Sequence, residues 1–242
     1  MRALVGPTDP AFFDNPDGRI LYPDESTGDV FDFGCGCGRL ARQLIQQRPQ
    51  PKSYVGIDLH AGMIRWCQAN LRSPQFRFEH HDVFNPGFNP GDKPQRADLP
   101  AEDSSCDLVI AHSVFTHILE DSALHYLTEC ARILRSGGIL ASTWFLFDKR
   151  EFAMMQSFQN ALYINVDDPT NAVIFDREWL TSACLAVGFE AETIEVPALR
   201  GYHWMIRLRR VANPSPFDLT VDAAPLGSMP PPAPSGDPSS VG

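Results

Sequence analysis

Three aspartates and two histidines stand where they could do chemistry. Asp32 lies two residues ahead of a run of alternate glycines, Gly34-Cys35-Gly36-Cys37-Gly38. Asp58 comes 20 residues after Gly38, and Asp82 comes 24 residues after Asp58. Asp58 and Asp82 each close a short run of strand-like residues. His112 and His117 bracket Ser113-Val114-Phe115-Thr116 just beyond a fourth such run. A carboxylate at a strand end can accept both hydroxyls of a ribose, and an ionised acceptor makes the stronger bond. Asp82 is an acceptor suited to the exocyclic amine of a purine. Either histidine is of a type that takes a proton in acid–base catalysis. The glycines let the chain turn sharply and let a ligand approach the backbone with no Cβ in the way.

The surrounding pattern supplies elements to hold these groups. Val30, Phe31 and Phe33 read as a short buried strand of the parallel type. Residues 39–45 carry apolar side chains at helical spacing, with Pro49 as a stop. Strand, glycine turn and helix make the first half of a nucleotide-binding βαβ unit. A second strand over 53–57 ends at Asp58, and a helix over 61–71 carries Met63, Ile64 and Leu71. A third strand over 76–80 ends near Asp82. Residues 85–100 hold four prolines and two glycines, a loop longer than a plain connection needs. A fourth strand over 106–111 leads to a helix over 120–134, with Leu124, Leu127, Ala131 and Leu134 on one stripe and Gly137-Gly138 as its stop. A fifth strand covers 139–147. Residues 151–162 and 177–187 are helical in pattern, Gly188 capping the second. Residues 189–196 and 202–211 alternate around Gly201 as an antiparallel hairpin.

This alternation demands a doubly wound, mainly parallel sheet with helices on both faces. The expected fold is α/β and Rossmann-like, seven-stranded, closed by the antiparallel C-terminal hairpin. Residues 1–28, with the apolar island Ala11-Phe12-Phe13, read as an irregular arm, 29–211 as the domain, and the Pro- and Ser-rich 212–242 as a disordered tail.

Composition narrows the function. The chain has 242 residues, 43% of them hydrophobic, and a formal net charge of −10. That balance opposes bulk binding to phosphate backbones or anionic membrane. No apolar run approaches the ~20 residues of a membrane span, and the first residues lack the long apolar segment of a secretion signal. Six cysteines occur without any C-x-x-C pair. They read as small buried residues, suited to a reducing cytoplasm, and not as a metal site.

A dinucleotide fold wants G-x-G-x-x-G, but here the third glycine arrives one position early and Arg39 takes its place. Asp32 would also face a pyrophosphate badly. A P-loop is excluded because no G-K-[ST] follows the glycines. An acid beside the turn suits a cationic ligand, and S-adenosylmethionine, with an α-amino group and a sulfonium, fits. At this point Val30–Arg39 resembles the first motif of the class I S-adenosylmethionine-dependent methyltransferases. Gly56-Ile57-Asp58-Leu59, His81-Asp82-Val83, Ser105-Cys106-Asp107-Leu108-Val109 and Arg132-Ile133-Leu134-Arg135-Ser136-Gly137-Gly138 resemble the family's later motifs, in order and correctly spaced.

The resemblance implies S-adenosylmethionine as cofactor. It assigns cofactor contacts to Asp32, Gly34, Cys35, Gly36, Asp58, Leu59, Met63, Asp82, Val83 and His112. Asp32 would meet the methionine amino group or, alternatively, serve as a structural acid for the turn amides. His117 and His112 are the candidate bases, with a pocket-wall role as the alternative for each. The N/D-P-P-[YF] segment of many amino-group methylators is absent after the fourth strand, where His112-Ser113-Val114-Phe115 stands. With the acidic charge, this points to a small-molecule acceptor with a hydroxyl or carboxyl group, and away from nucleic acid and membrane. The competing readings are a non-catalytic S-adenosylmethionine-binding protein and a nicotinamide-dependent oxidoreductase.

Overall fold

The computed structural model describes residues 14–197 and 203–219. Five parallel strands form its centre: β1 (Asp29–Phe33), β2 (Ser53–Asp58), β3 (Phe76–His80), β4 (Cys106–Ala111) and β5 (Leu134–Phe147). Their order is β3-β2-β1-β4-β5. The hairpin of β8 (Phe189–Glu195) and β9 (Trp204–Arg210) extends the sheet, β9 running antiparallel to β5. These seven strands are the expected sheet. Its turn around Gly201 lies outside the described residues. A further short pair is added: β6 (Ala161–Tyr163) and β7 (Val173–Asp176), with β7 parallel to the last three residues of β5.

The apolar pattern explains the two layers. Along the central strands alternate side chains face opposite sides. Val30, Leu108, Ile110, Ile139 and Ala141 join the core beneath α1 (Arg39–Gln46) and α2 (Ala61–Asn70). Phe31, Val109, Ala111 and Leu140 join the core beneath α3 (Glu120–Ile133) and α4 (Arg177–Ala186). The chain reverses direction across the sheet between β1 and β4, and in such folds a crevice opens at the carboxyl ends of those strands.

Several expectations need correction. The stripe on α3 is Ala123, Tyr126, Leu127, Cys130 and Ala131, while Leu124 faces outward. Gly137-Gly138 do not stop α3; the helix ends at Ile133 and the two glycines sit inside β5. There the ladder to β4 slips, pairing Cys106 with Leu134 and then Leu108 with Ile139. Gly137 has φ +83° in this bulge, a conformation that favours glycine. Residues 151–162 are not a helix but turns that lead into β6. Their helical spacing finds no layer to pack against, and Met154 and Phe158 are 91% and 75% exposed. Past residue 212, Leu219 is buried in the core and Phe217 packs against it. Residues 220–242, like 1–13 with Ala11-Phe12-Phe13, lie outside the described residues. The described part of the arm, 14–28, is irregular and lies on the domain, with Asn15 buried and bonded to the α1 carbonyl of Gln43.

Candidate functional site

The glycine turn is fastened to the strand beside it. The amides of Gly34 and Cys35 both donate to the carbonyl of Ile57, at 2.8 and 2.9 Å. This places Gly36 over the end of β2, where its amide donates to Asp58 Oδ2 at 2.9 Å. The other oxygen, Oδ1, accepts from the amide of His60 at 2.7 Å. Asp58 is therefore fixed by two backbone donors, with lone pairs remaining on each oxygen. Its pKa is raised by burial, and the two amides oppose that shift.

Gly34 has φ +81°, and a Cβ on it would lie 2.4 Å from Val114 Cγ2. The turn can pass this close to the segment after β4 only without a side chain. Gly34→Ala should cost about 1–2 kcal/mol for the left-handed backbone alone. That lowers the melting temperature by roughly 2–8 °C in a chain of this size. A thermal melt equal to that of the parent would contradict the strained turn.

A cavity of 310 Å³ opens at this point. Asp32, Gly34, Cys35, Gly36, Asp58, Leu59, Met63, Val83, His112 and His117 all line it. Asp32 is buried and accepts from the Tyr54 hydroxyl at 2.5 Å. Burial raises its pKa to about 7, against the lowering effect of that hydroxyl. His112 Nε2 lies 2.9 Å from the hydroxyl of Tyr22 in the arm. Its pKa falls to about 4, chiefly through burial and then through the nearby Arg39 charge, so it is neutral at pH 7. His117 Nδ1 lies 3.1 Å from the carbonyl of Thr170. A carbonyl can only accept, so Nδ1 carries the hydrogen and Nε2 carries the lone pair.

Asp82 is the exception. It does not line the cavity. Its side chain is 55% exposed, paired with Lys93 and bonded to Asn89 Nδ2 at 3.0 Å. β3 is the edge strand, so the residue beyond its end has solvent beside it, and the long loop supplies a cation. The cavity wall beyond β3 is formed instead by His81, Val83, Asn85 and Phe88, together with Tyr126 of α3. His81 Nε2 lies 2.9 Å from the Tyr126 hydroxyl, and burial lowers its pKa to about 4. Tyr126 was findable from the corrected helical stripe; Asn85 and Phe88 sit in an irregular loop and carry no such signal. The chain leaves β4 through Ser113 at φ +55°, whose amide is held by Thr143 Oγ1 at 2.7 Å.

Among the described residues no cluster of His, Cys, Asp or Glu could hold a metal ion. All six cysteines are free and buried. No helix among the described residues is long and apolar enough to cross a membrane.

Residues 31–142 match the family model described as a methyltransferase domain. A phthiotriol/phenolphthiotriol dimycocerosates methyltransferase of Mycobacterium ulcerans is 32% identical over 117 residues, 47% of this chain and 36% of that protein. A fatty-acid O-methyltransferase of Mycolicibacterium smegmatis is 31% identical over 119 residues, again 47% and 36% of the two chains. The match thus spans about a third of the length of these relatives. The solved structure of an S-adenosylmethionine-dependent methyltransferase from Methanosarcina mazei shares the fold, with a TM-score of 0.56 at 18% identity, over 79% of this chain and 98% of that one. Motif order, family match and shared architecture agree: over residues 31–142, just under half of the chain, the sequence is similar to class I S-adenosylmethionine-dependent methyltransferases.

Proposed function

We propose that the protein transfers a methyl group from S-adenosylmethionine to a hydroxyl or carboxyl oxygen of a small-molecule acceptor. The single observation that carries this is Asp58, a buried carboxylate clamped by the Gly36 and His60 amides at the wall of the cavity. Its remaining lone pairs are the acceptors a ribose diol needs. The fit extends along the turn. A Cβ on Gly36 would meet nothing nearer than Met63 Sδ at 4.0 Å, so the backbone there stays open to a ligand. Asp32 would hold the α-amino group, while Leu59, Met63 and Val83 give apolar contact to the base.

S-Adenosylmethionine, when bound, supplies an already activated methyl group on a sulfonium. The protein's part is to align the acceptor and exclude water. Asp58 and Asp32 would hold that donor, and the crevice would bring the acceptor oxygen to the methyl group it supplies. For a hydroxyl acceptor, His117 Nε2 takes the proton. A carboxylate acceptor needs no base. The name of the Mycolicibacterium relative, which specifies O-methylation, supports an oxygen acceptor. Calorimetry with S-adenosylhomocysteine and NADH tests the cofactor. Binding of the first and not the second is expected, and the reverse would overturn the proposal. Incorporation of labelled methyl into an extract tests turnover.

Asp32 gives the binding a pH dependence. Its raised pKa, about 7 against 3.8, means that the folded protein holds a proton the unfolded chain has shed. Stability from this group therefore falls as pH rises between those two values. A cationic amino group has the opposite preference, because it binds the ionised carboxylate. Affinity for S-adenosylhomocysteine should rise about tenfold from pH 6 to pH 8, the change in ionised fraction across that pKa. Asp32→Asn should flatten the profile; a wild-type titration without slope would remove Asp32 from the amino-group contact.

A further inference from the structure

One surface segment, joined to the cavity wall through Thr170, is unusually apolar. Of ten large apolar side chains exposed among the described residues, six fall within residues 152–166. Met154 is 91% exposed, Val166 89%, Phe158 75% and Ile164 67%. Isolated exposed apolar residues are ordinary, but a gathering of them marks a binding surface.

This stretch is an insert between β5 and β7, and it is tied to the cavity wall. The residues that close it, Pro169–Asn171, form a short 3-10 turn. Within that turn, the Thr170 carbonyl accepts from His117 Nδ1, and Thr170 Oγ1 accepts from Asn85 Nδ2 at 3.3 Å. On the other side, Asn160 Nδ2 donates to Glu120 Oε1 at the start of α3, at 2.8 Å. Phe88, three residues after Asn85, lines the cavity and is also 52% exposed.

Size and charge choose the occupant. A cavity of 310 Å³ is at the small end for one drug-sized ligand. The cofactor therefore fills most of it, and the body of any larger acceptor must lie outside, over the rim. Charged groups flanking the patch give no basic surplus. Lys149 and Arg150 are paired with Asp176 and Asp148, and Asp167 and Asp168 follow. An anionic headgroup surface has nothing to hold it there, whereas a hydrocarbon chain does.

We infer that the acceptor is an amphiphile whose hydroxyl or carboxyl head enters the cavity while its long hydrocarbon chain lies along residues 152–166, over Met154, Phe158, Ile164 and Val166. This rests on the methyl-transfer reading above and names the substrate class of that site.

The test uses the full chain saturated with S-adenosylhomocysteine. Straight-chain carboxylic acids and 1-alkanols of 8, 12 and 16 carbons displace dansyl-undecanoic acid, read by fluorescence. Affinity is expected to rise with chain length in both series, since each methylene taken from water adds to binding. The double variant Met154→Ser/Phe158→Ser is expected to weaken the 16-carbon members at least tenfold and the 8-carbon members much less. Its affinity for S-adenosylhomocysteine is expected to be unchanged. Absence of chain-length dependence, or equal affinities in parent and variant, would overturn the inference. So would a dimer by sedimentation that the variant abolishes, or binding to phosphatidylcholine vesicles that the variant loses while chain affinity stays constant. Failure of wild-type protein to bind S-adenosylhomocysteine would instead sink the methyl-transfer reading, and is measured separately.

Discussion

Asp58→Ala should lower affinity for S-adenosylhomocysteine by roughly 150-fold, about 3 kcal/mol, as read by calorimetry. The estimate counts two hydrogen bonds from ribose hydroxyls to an ionised acceptor, each contributing about 1.5–3 kcal/mol, at the lower end of that range. The loss has a second source. Gly36 N and His60 N both donate to this carboxylate, and removing it strands two donors at the cavity wall. Asp58→Asn keeps one acceptor oxygen and should fall between parent and alanine variant. Circular dichroism separates lost binding from lost fold. Unchanged affinity in a folded alanine variant would detach the ribose from Asp58, and with it the central support for the proposed cofactor pose.

His117→Ala should reduce turnover on a hydroxyl acceptor by about 10²–10⁴-fold, the usual contribution of a positioned base. Cofactor affinity should be preserved, because the Thr170 carbonyl, and not the cofactor crevice, holds the ring through Nδ1. The steady-state pattern expected is a fall in kcat with KM nearly constant. Parallel loss of binding and turnover would reassign His117 to the pocket wall. His112 makes the weaker candidate for this role. Its Nε2 is engaged by Tyr22, and burial leaves it with a pKa of about 4, too low for an effective base near neutrality.

The central sheet was legible because parallel strands buried on both faces write themselves as apolar runs. The glycine turn, Asp32 and Asp58 were legible for a related reason: strand ends in an open α/β sheet converge on one crevice, so an acid placed there announces its neighbours. Asp82 fulfils the same spacing and still points away. Whether a strand is at the edge is a property of sheet order, and the loop that supplies Lys93 is irregular. The other misreadings share a cause. Residues 151–162 have helical periodicity, yet periodicity builds a helix only where a second layer waits to receive the apolar face. Gly137-Gly138 looked like a stop because a glycine pair after a helix usually is one, and only the slipped ladder between β4 and β5 shows them as a bulge within the strand. The part of the wall formed by Asn85 and Phe88 belongs to an irregular loop, whose placement local sequence does not encode.

β5 is a 14-residue strand. Its first part is locked between β4 and β9, and its last three residues, beyond that grip, pair with β7. The apolar insert hangs from that free end and rejoins the domain at β7. Residues 152–166 can therefore be exchanged or made polar while the crevice stays as it is, so long as Thr170 keeps its contacts to His117 and Asn85. The fold behaves as a fixed socket with an interchangeable adaptor. Transplanting the segment between relatives with different acceptors should carry substrate choice with it and leave the handling of the donor unaltered.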